Sequence, residues 1–129
     1  METVSLSIPA GPEHLRLVRL VAAGLASRLQ FTIDDIEDLK IGVDELCAYL
    51  TGSQGREGTL EIAFGVGDDH LEISGSGRFQ PGDKIRTQLT ELSRMILDTV
   101  ADEAVLEQND GVPRFFLSKR RASEKTIDL

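Results

Sequence analysis

The sequence predicts an α+β two-layer sandwich, a mostly antiparallel sheet covered on one face by three helices. Two periodicities and their order carry that prediction. Val4, Leu6 and Ile8, then Leu60, Ile62, Phe64 and Val66, then Leu71 and Ile73, recur at every second residue, the period of a half-buried strand. Three other segments repeat apolar residues at spacings of three and four, which puts them on one buried helix face. The order β-α-α-β-β-α-β-β groups strands instead of alternating them strictly with helices, and that favours helices on one side of the sheet over a doubly wound parallel sheet.

The first strand is broken between Pro9 and Pro12, and Pro12 suits the first turn of a helix with the stripe Leu15, Val18, Ala22, Leu25 and Leu29. Thr32 followed by Asp35 resembles a capping box and opens a second stripe of Ile36, Leu39, Val43, Leu46 and Leu50, expected to end near Gly52. A turn over Gly55 to Gly58 leads into an antiparallel hairpin folded at Gly67-Asp68-Asp69. Ser74-Gly75-Ser76-Gly77 is expected to end that hairpin. Pro81-Gly82 then leads into a third helix with stripe Ile85, Leu89, Leu92, Ile96 and Val100. Two final strands, roughly 103–108 and 112–119, are joined by the turn signal Asn109-Asp110-Gly111. The domain is therefore placed at 1–119, with 120–129 as a charged C-terminal tail.

A chain of 129 residues with 40% hydrophobic content matches one domain with one two-layer core. Its 22 acidic against 14 basic side chains give a formal charge of −8, which argues against nucleic acid or an anionic membrane as partner and favours a protein with a basic surface. The run Lys119-Arg120-Arg121 is too short to reverse this and reads as a solvating tail. Without a signal-peptide pattern or a long apolar window, the expected compartment is the cytoplasm. Cys47 is the single cysteine and falls on an apolar helix side, as a buried small hydrophobe. His14 and His70 form no triad or paired-ligand pattern and are expected at the surface.

The segments Leu17-Val18-Arg19-Leu20 and Asp38-Leu39-Lys40-Ile41-Gly42-Val43-Asp44-Glu45 belong to this pattern. So does Ile96-Leu97-Asp98-Thr99-Val100-Ala101-Asp102-Glu103, followed by a hairpin ending in Leu117-Ser118-Lys119. With the element order, they resemble the anti-sigma-factor serine-protein kinase family of histidine-kinase-like ATPases over almost the whole chain. In that family a Glu of the second helix polarises water or a substrate serine, and Glu45 takes its place. An Asn one turn later binds magnesium, but here Tyr49 stands there, four residues on and on the same helix face. A phenol is a poor ligand for a hard cation. The family's Asp-x-Gly-x-Gly motif is matched by Gly75 and Gly77, while Ile73 replaces the Asp that accepts the adenine amino group. That leaves an adenine donor unpaired at a cost of about 1–3 kcal/mol. The phosphate-clamping Gly-x-Gly-Leu has no counterpart in Thr87-Gln88-Leu89-Thr90-Glu91-Leu92, which reads as ordinary helix.

The resemblance implies a degenerate ATP pocket formed by Glu45, Tyr49, Ile73, Gly75 and Gly77, with ATP binding weak or lost and magnesium lacking its ligand. It also implies partner contact through Arg19 and a homodimer. Tyr49 is placed to plug the vacated pocket; the plainer readings are a surface or core tyrosine there, a solvated acid at Glu45, an ordinary turn at Gly75 and Gly77, and a solvated Arg19. The leading expectation is a partner-switching regulator of transcription that binds a sigma factor or an anti-sigma factor antagonist. The alternatives are an active ATP-dependent serine-protein kinase phosphorylating that antagonist, and a homodimeric interaction module unrelated to transcription.

Overall fold

The structure is a computed structural model and describes residues 1–122. Its elements are β1 (Glu2–Pro9), a 3-10 turn (Pro12–His14), α1 (Leu15–Arg28), α2 (Ile33–Thr51), β2 (Gly58–Val66), β3 (His70–Phe79), α3 (Glu91–Val100), β4 (Glu103–Asn109) and β5 (Val112–Arg120). The strands form one sheet in the order β1-β2-β3-β5-β4, with every neighbouring pair antiparallel. This is the expected α+β sandwich in the expected element order.

The strand period decides which residues face the helices. Ile8 of β1, Leu60, Ile62 and Phe64 of β2, Leu71 and Ile73 of β3, and Phe115 and Leu117 of β5 are buried. They meet Val18, Ala22 and Ala26 of α1, Leu39, Val43, Leu46 and Leu50 of α2, and Leu97 of α3 in one core. The opposite face carries residues such as Ser5, Glu61, Ser74 and Arg114 and is open to solvent, as antiparallel sheets allow. Gly42 is buried in the middle of α2, where an added Cβ would lie 3.3 Å from Leu117, so its bareness lets the helix approach β5 closely.

Local signals act where the sequence placed them. Thr32 caps α2, its Oγ1 accepting the Asp35 N–H at 3.1 Å, and Gly52 follows the helix at φ 67°. Asp110 (φ 52°) and Gly111 (φ 79°) make the β4–β5 turn in the left-handed region. Cys47 is fully buried, and burial pushes its thiol up to about 12. It should therefore resist thiol-specific alkylation at pH 8 in the native protein and react only on unfolding; rapid native labelling would contradict the packing.

Three expectations are corrected. The hairpin does not end at Ser74–Gly77, because β3 continues through both glycines to Phe79, and Gly75 and Gly77 pair with Ile62 and Leu60 of β2. The third helix does not span Ile85 and Leu89. It starts at Glu91, with Thr90 as N-cap accepting the Ser93 N–H, so Thr87–Thr90 lies outside any helix. Lys119 and Arg120 are not a solvating tail. Lys119 is buried, its Nζ donating to the Val100 carbonyl at 3.0 Å with Asp35 and Asp38 3.7 and 3.9 Å away, and Arg120 closes β5 while pairing with Asp69 at 2.7 Å. Arg121 donates to the Leu29 carbonyl. Of the proposed tail, residues 123–129 lie outside the described residues.

Candidate functional site

Glu45 and Tyr49 leave α2 one turn apart and meet the N-terminal end of α3. The Tyr49 hydroxyl donates to Ser93 Oγ at 2.8 Å and accepts the Thr90 backbone N–H at 2.9 Å. Ser93 Oγ donates in turn to Glu45 Oε1 at 2.6 Å, short as expected for a hydroxyl bonded to a carboxylate. Thr90 Oγ1 accepts the Ser93 N–H at 3.0 Å and lies 2.9 Å from Ser93 Oγ. Burial raises the Tyr49 phenol, but its hydrogen bonds to Ser93 and Thr90 and the charge of Arg86 outweigh this and hold it below its usual value.

Thr90 and Ser93 are the neighbours of Glu45 and Tyr49 that sequence reasoning missed. Their signal was the Thr-x-x-Ser spacing of a helix start, hidden because Ile85 and Leu89 continue the apolar stripe of α3 backwards. Nothing in the spacing could show that the cap would meet a helix ending some forty residues earlier.

Ile73, Gly75 and Gly77 lie on the helix-facing side of β3. Ile73 is fully buried and offers no acceptor. The Phe115 ring, from the residue paired with Gly75 across β3 and β5, fills the space a Cβ at Gly75 would take. The Phe79 ring does the same over Gly77. Both glycines thus make room for aromatic rings, a packing device known for glycine in strands. The open sheet face and the Phe79–Ile85 corner carry clefts, and neither is lined by Glu45, Tyr49 or Ile73.

Arg19 is not a free surface arginine: its Nη1 lies 2.8 Å from Asp44 Oδ1, in a pair with both side chains partly exposed. His14 sits half-buried in the 3-10 turn beside Glu13, and His70, at the start of β3, lies 3.4 Å from Asp69 and 3.7 Å from Glu72. Among the described residues no group of three or more His, Cys, Asp or Glu is placed to hold a metal ion, and no helix is long and apolar enough to cross a membrane.

No protein-family model matches the chain. The fold is nonetheless shared with a solved structure, that of the RsbU and RsbW domains of Rv1364c from Mycobacterium tuberculosis. The TM-score is 0.67 at 17% identity, over 94% of this chain and 32% of that one. Among curated proteins, the serine-protein kinase RsbW of Bacillus velezensis is 33% identical over 87% of this chain and 82% of its own length. The RsbW proteins of Bacillus subtilis and Bacillus pumilus are 31% and 32% identical, over 84% and 98% of this chain and 80% and 93% of theirs. With that identity sustained over most of both chains, and with a shared fold, the chain belongs to the RsbW serine-protein kinase family.

Proposed function

We propose that this protein is an anti-sigma-factor-like regulator that acts by protein–protein binding in a partner-switching system controlling transcription, with a degenerate ATP site. The observation that carries the reading is the phenol of Tyr49 at the position of the family's metal ligand. The residues there do not fit a magnesium-bridged nucleotide. The Tyr49 oxygen is protonated, donates to Ser93 and accepts from Thr90, so a hard cation would have to compete with these bonds at an uncharged phenol. Ile73 supplies no acceptor for an adenine amino group, and the Phe115 and Phe79 rings take the room above Gly75 and Gly77.

The partners in this reading are a sigma factor, an anti-sigma factor antagonist, or both, met in the cytoplasm by a homodimer. Arg19 belongs to the partner face. Its ion pair with Asp44 is partly exposed and worth less than about 1 kcal/mol, so Arg19→Ala should leave the fold intact while weakening capture of a purified sigma factor or antagonist. Equal capture by wild type and variant would remove Arg19 from the interface.

An active ATP-dependent serine-protein kinase is the second reading, favoured by the retained Glu45 and by the name its relatives carry. Calorimetric titration of ATP with and without magnesium separates the two. The regulator predicts silence up to millimolar ATP, and micromolar magnesium-dependent binding would establish the kinase instead.

A further inference from the structure

Ser93 uses every hydrogen-bonding capacity of its hydroxyl inside the protein. Its Oγ accepts from Tyr49 at 2.8 Å and from Thr90 Oγ1 at 2.9 Å, and donates its single proton to Glu45 at 2.6 Å. The residue is buried on the same side of α3 as Leu97 and Val100, while Leu92 and Met95 of that helix are exposed. Each holder is itself held: the Thr90 N–H donates to the Tyr49 oxygen, and the Ser93 N–H donates to Thr90 Oγ1. Four side chains from α2 and the start of α3 thus close one connected network, with no buried side-chain polar atom left unpaired among the described residues.

The chemistry at its end is specific. A carboxylate that polarises a hydroxyl must accept that hydroxyl's proton in a short hydrogen bond, and Ser93 makes this contact with Glu45 from within the same chain. We propose that Ser93 is a built-in occupant of Glu45 Oε1, locked there by Tyr49 and Thr90, so that α3 is latched to α2 and a hydroxyl from water or a docked protein must displace Ser93 to reach that oxygen of the half-buried acid. The proposal rests on the reading of Glu45 as the position of the family's base. It differs from a lost ATP site, because the latch would hold Glu45 Oε1 whether or not a nucleotide could bind.

Tyr49 and Ser93 are positioning residues in this account, and the readout is the availability of one carboxylate. Glu45 is labelled with a water-soluble carbodiimide and glycine ethyl ester and followed by mass spectrometry, with exposed Glu37 as internal reference. In the wild type Glu45 should react far more slowly than Glu37. Ser93→Ala, which removes the charge-assisted hydrogen bond itself, should speed its labelling by up to about ten- to hundredfold, and Tyr49→Phe, which only loosens Ser93, by a smaller factor, while Glu37 is unchanged. Hydrogen exchange in the same variants should rise over α3 and stay constant over β2 and β3.

Glu45 labelling at the same rate in all three proteins, or as fast as Glu37 in the wild type, would overturn the latch. If Ser93→Ala accelerates every carboxylate by unfolding, Tyr49→Phe, which keeps the ring, decides alone. No nucleotide enters the experiment, so the latch and the regulator reading can fail separately.

Discussion

Phe115→Ala is expected to lower the unfolding free energy by about 3–5 kcal/mol, the range for deleting a buried aromatic side chain. Phe115 is only 2% exposed, and its ring lies over Gly75. The cost should fall at the upper end of the range, because a glycine has no side chain to relax into the hole and the neighbouring β3 backbone is fixed by β2 on its other side. Urea denaturation reads the loss as a lower midpoint at unchanged slope. The same variant bears on function, since it reopens the space above Gly75. Under the proposed reading ATP should not bind this variant either, because Ile73 still offers no acceptor; binding by Phe115→Ala but not by the wild type would mean that the ring alone excluded the nucleotide.

Ile73→Asp should be at least as damaging, although it writes the family's adenine acceptor back into the sequence. Ile73 is fully buried in the central strand β3, paired with Phe64 and Leu117. The substitution removes a packed side chain and buries a carboxyl group without a partner, at a cost of about 3 kcal/mol or more. The penalty has a pH sign. Burial raises the folded-state pKa of the new Asp above its unfolded value, so the unfolded state sheds its proton first as pH rises, and the variant loses further stability from about pH 4 upward. Relative to wild type, its urea midpoint should be lower at pH 7 than at pH 4. An equal deficit at both would show that water reaches position 73, while Ile73→Val, at about 0.5–1.5 kcal/mol, controls for packing alone.

These two positions also mark how far the sequence could be read. The strands and the first two helices were legible because a period of two or of 3.6 is imposed by the backbone itself, and the caps at Thr32 and Gly52 are local chemistry. The start of α3 was misread because Ile85 and Leu89 continue its stripe at helical spacing; Leu89 packs against the core from non-helical chain, so burial without a helix produced the same pattern. Gly75 and Gly77 looked like a turn because glycine punctuates turns more often than strands. What they accommodate is the rings of Phe115 and Phe79, one of them forty residues away, and no local window contains that information. The site divides in the same way. Glu45 and Tyr49 share a helix face by spacing alone, whereas Ser93 and Thr90 join them only through the packing of α3 on α2.

The strand order has a consequence for the chain while it is being made. β1 can pair along its whole length once residue 66 has emerged, and the β2–β3 hairpin is complete at Phe79. The other edge of β3 belongs to β5, which begins only at Val112, with α3 and β4 synthesised in between. Throughout that interval the nascent protein displays a central strand with one edge bare and Leu71 and Ile73 on its core face. An unpaired apolar edge of this kind recruits other chains, so a ribosome stalled before Val112, or a truncation there, should release an aggregating fragment and not a smaller stable domain.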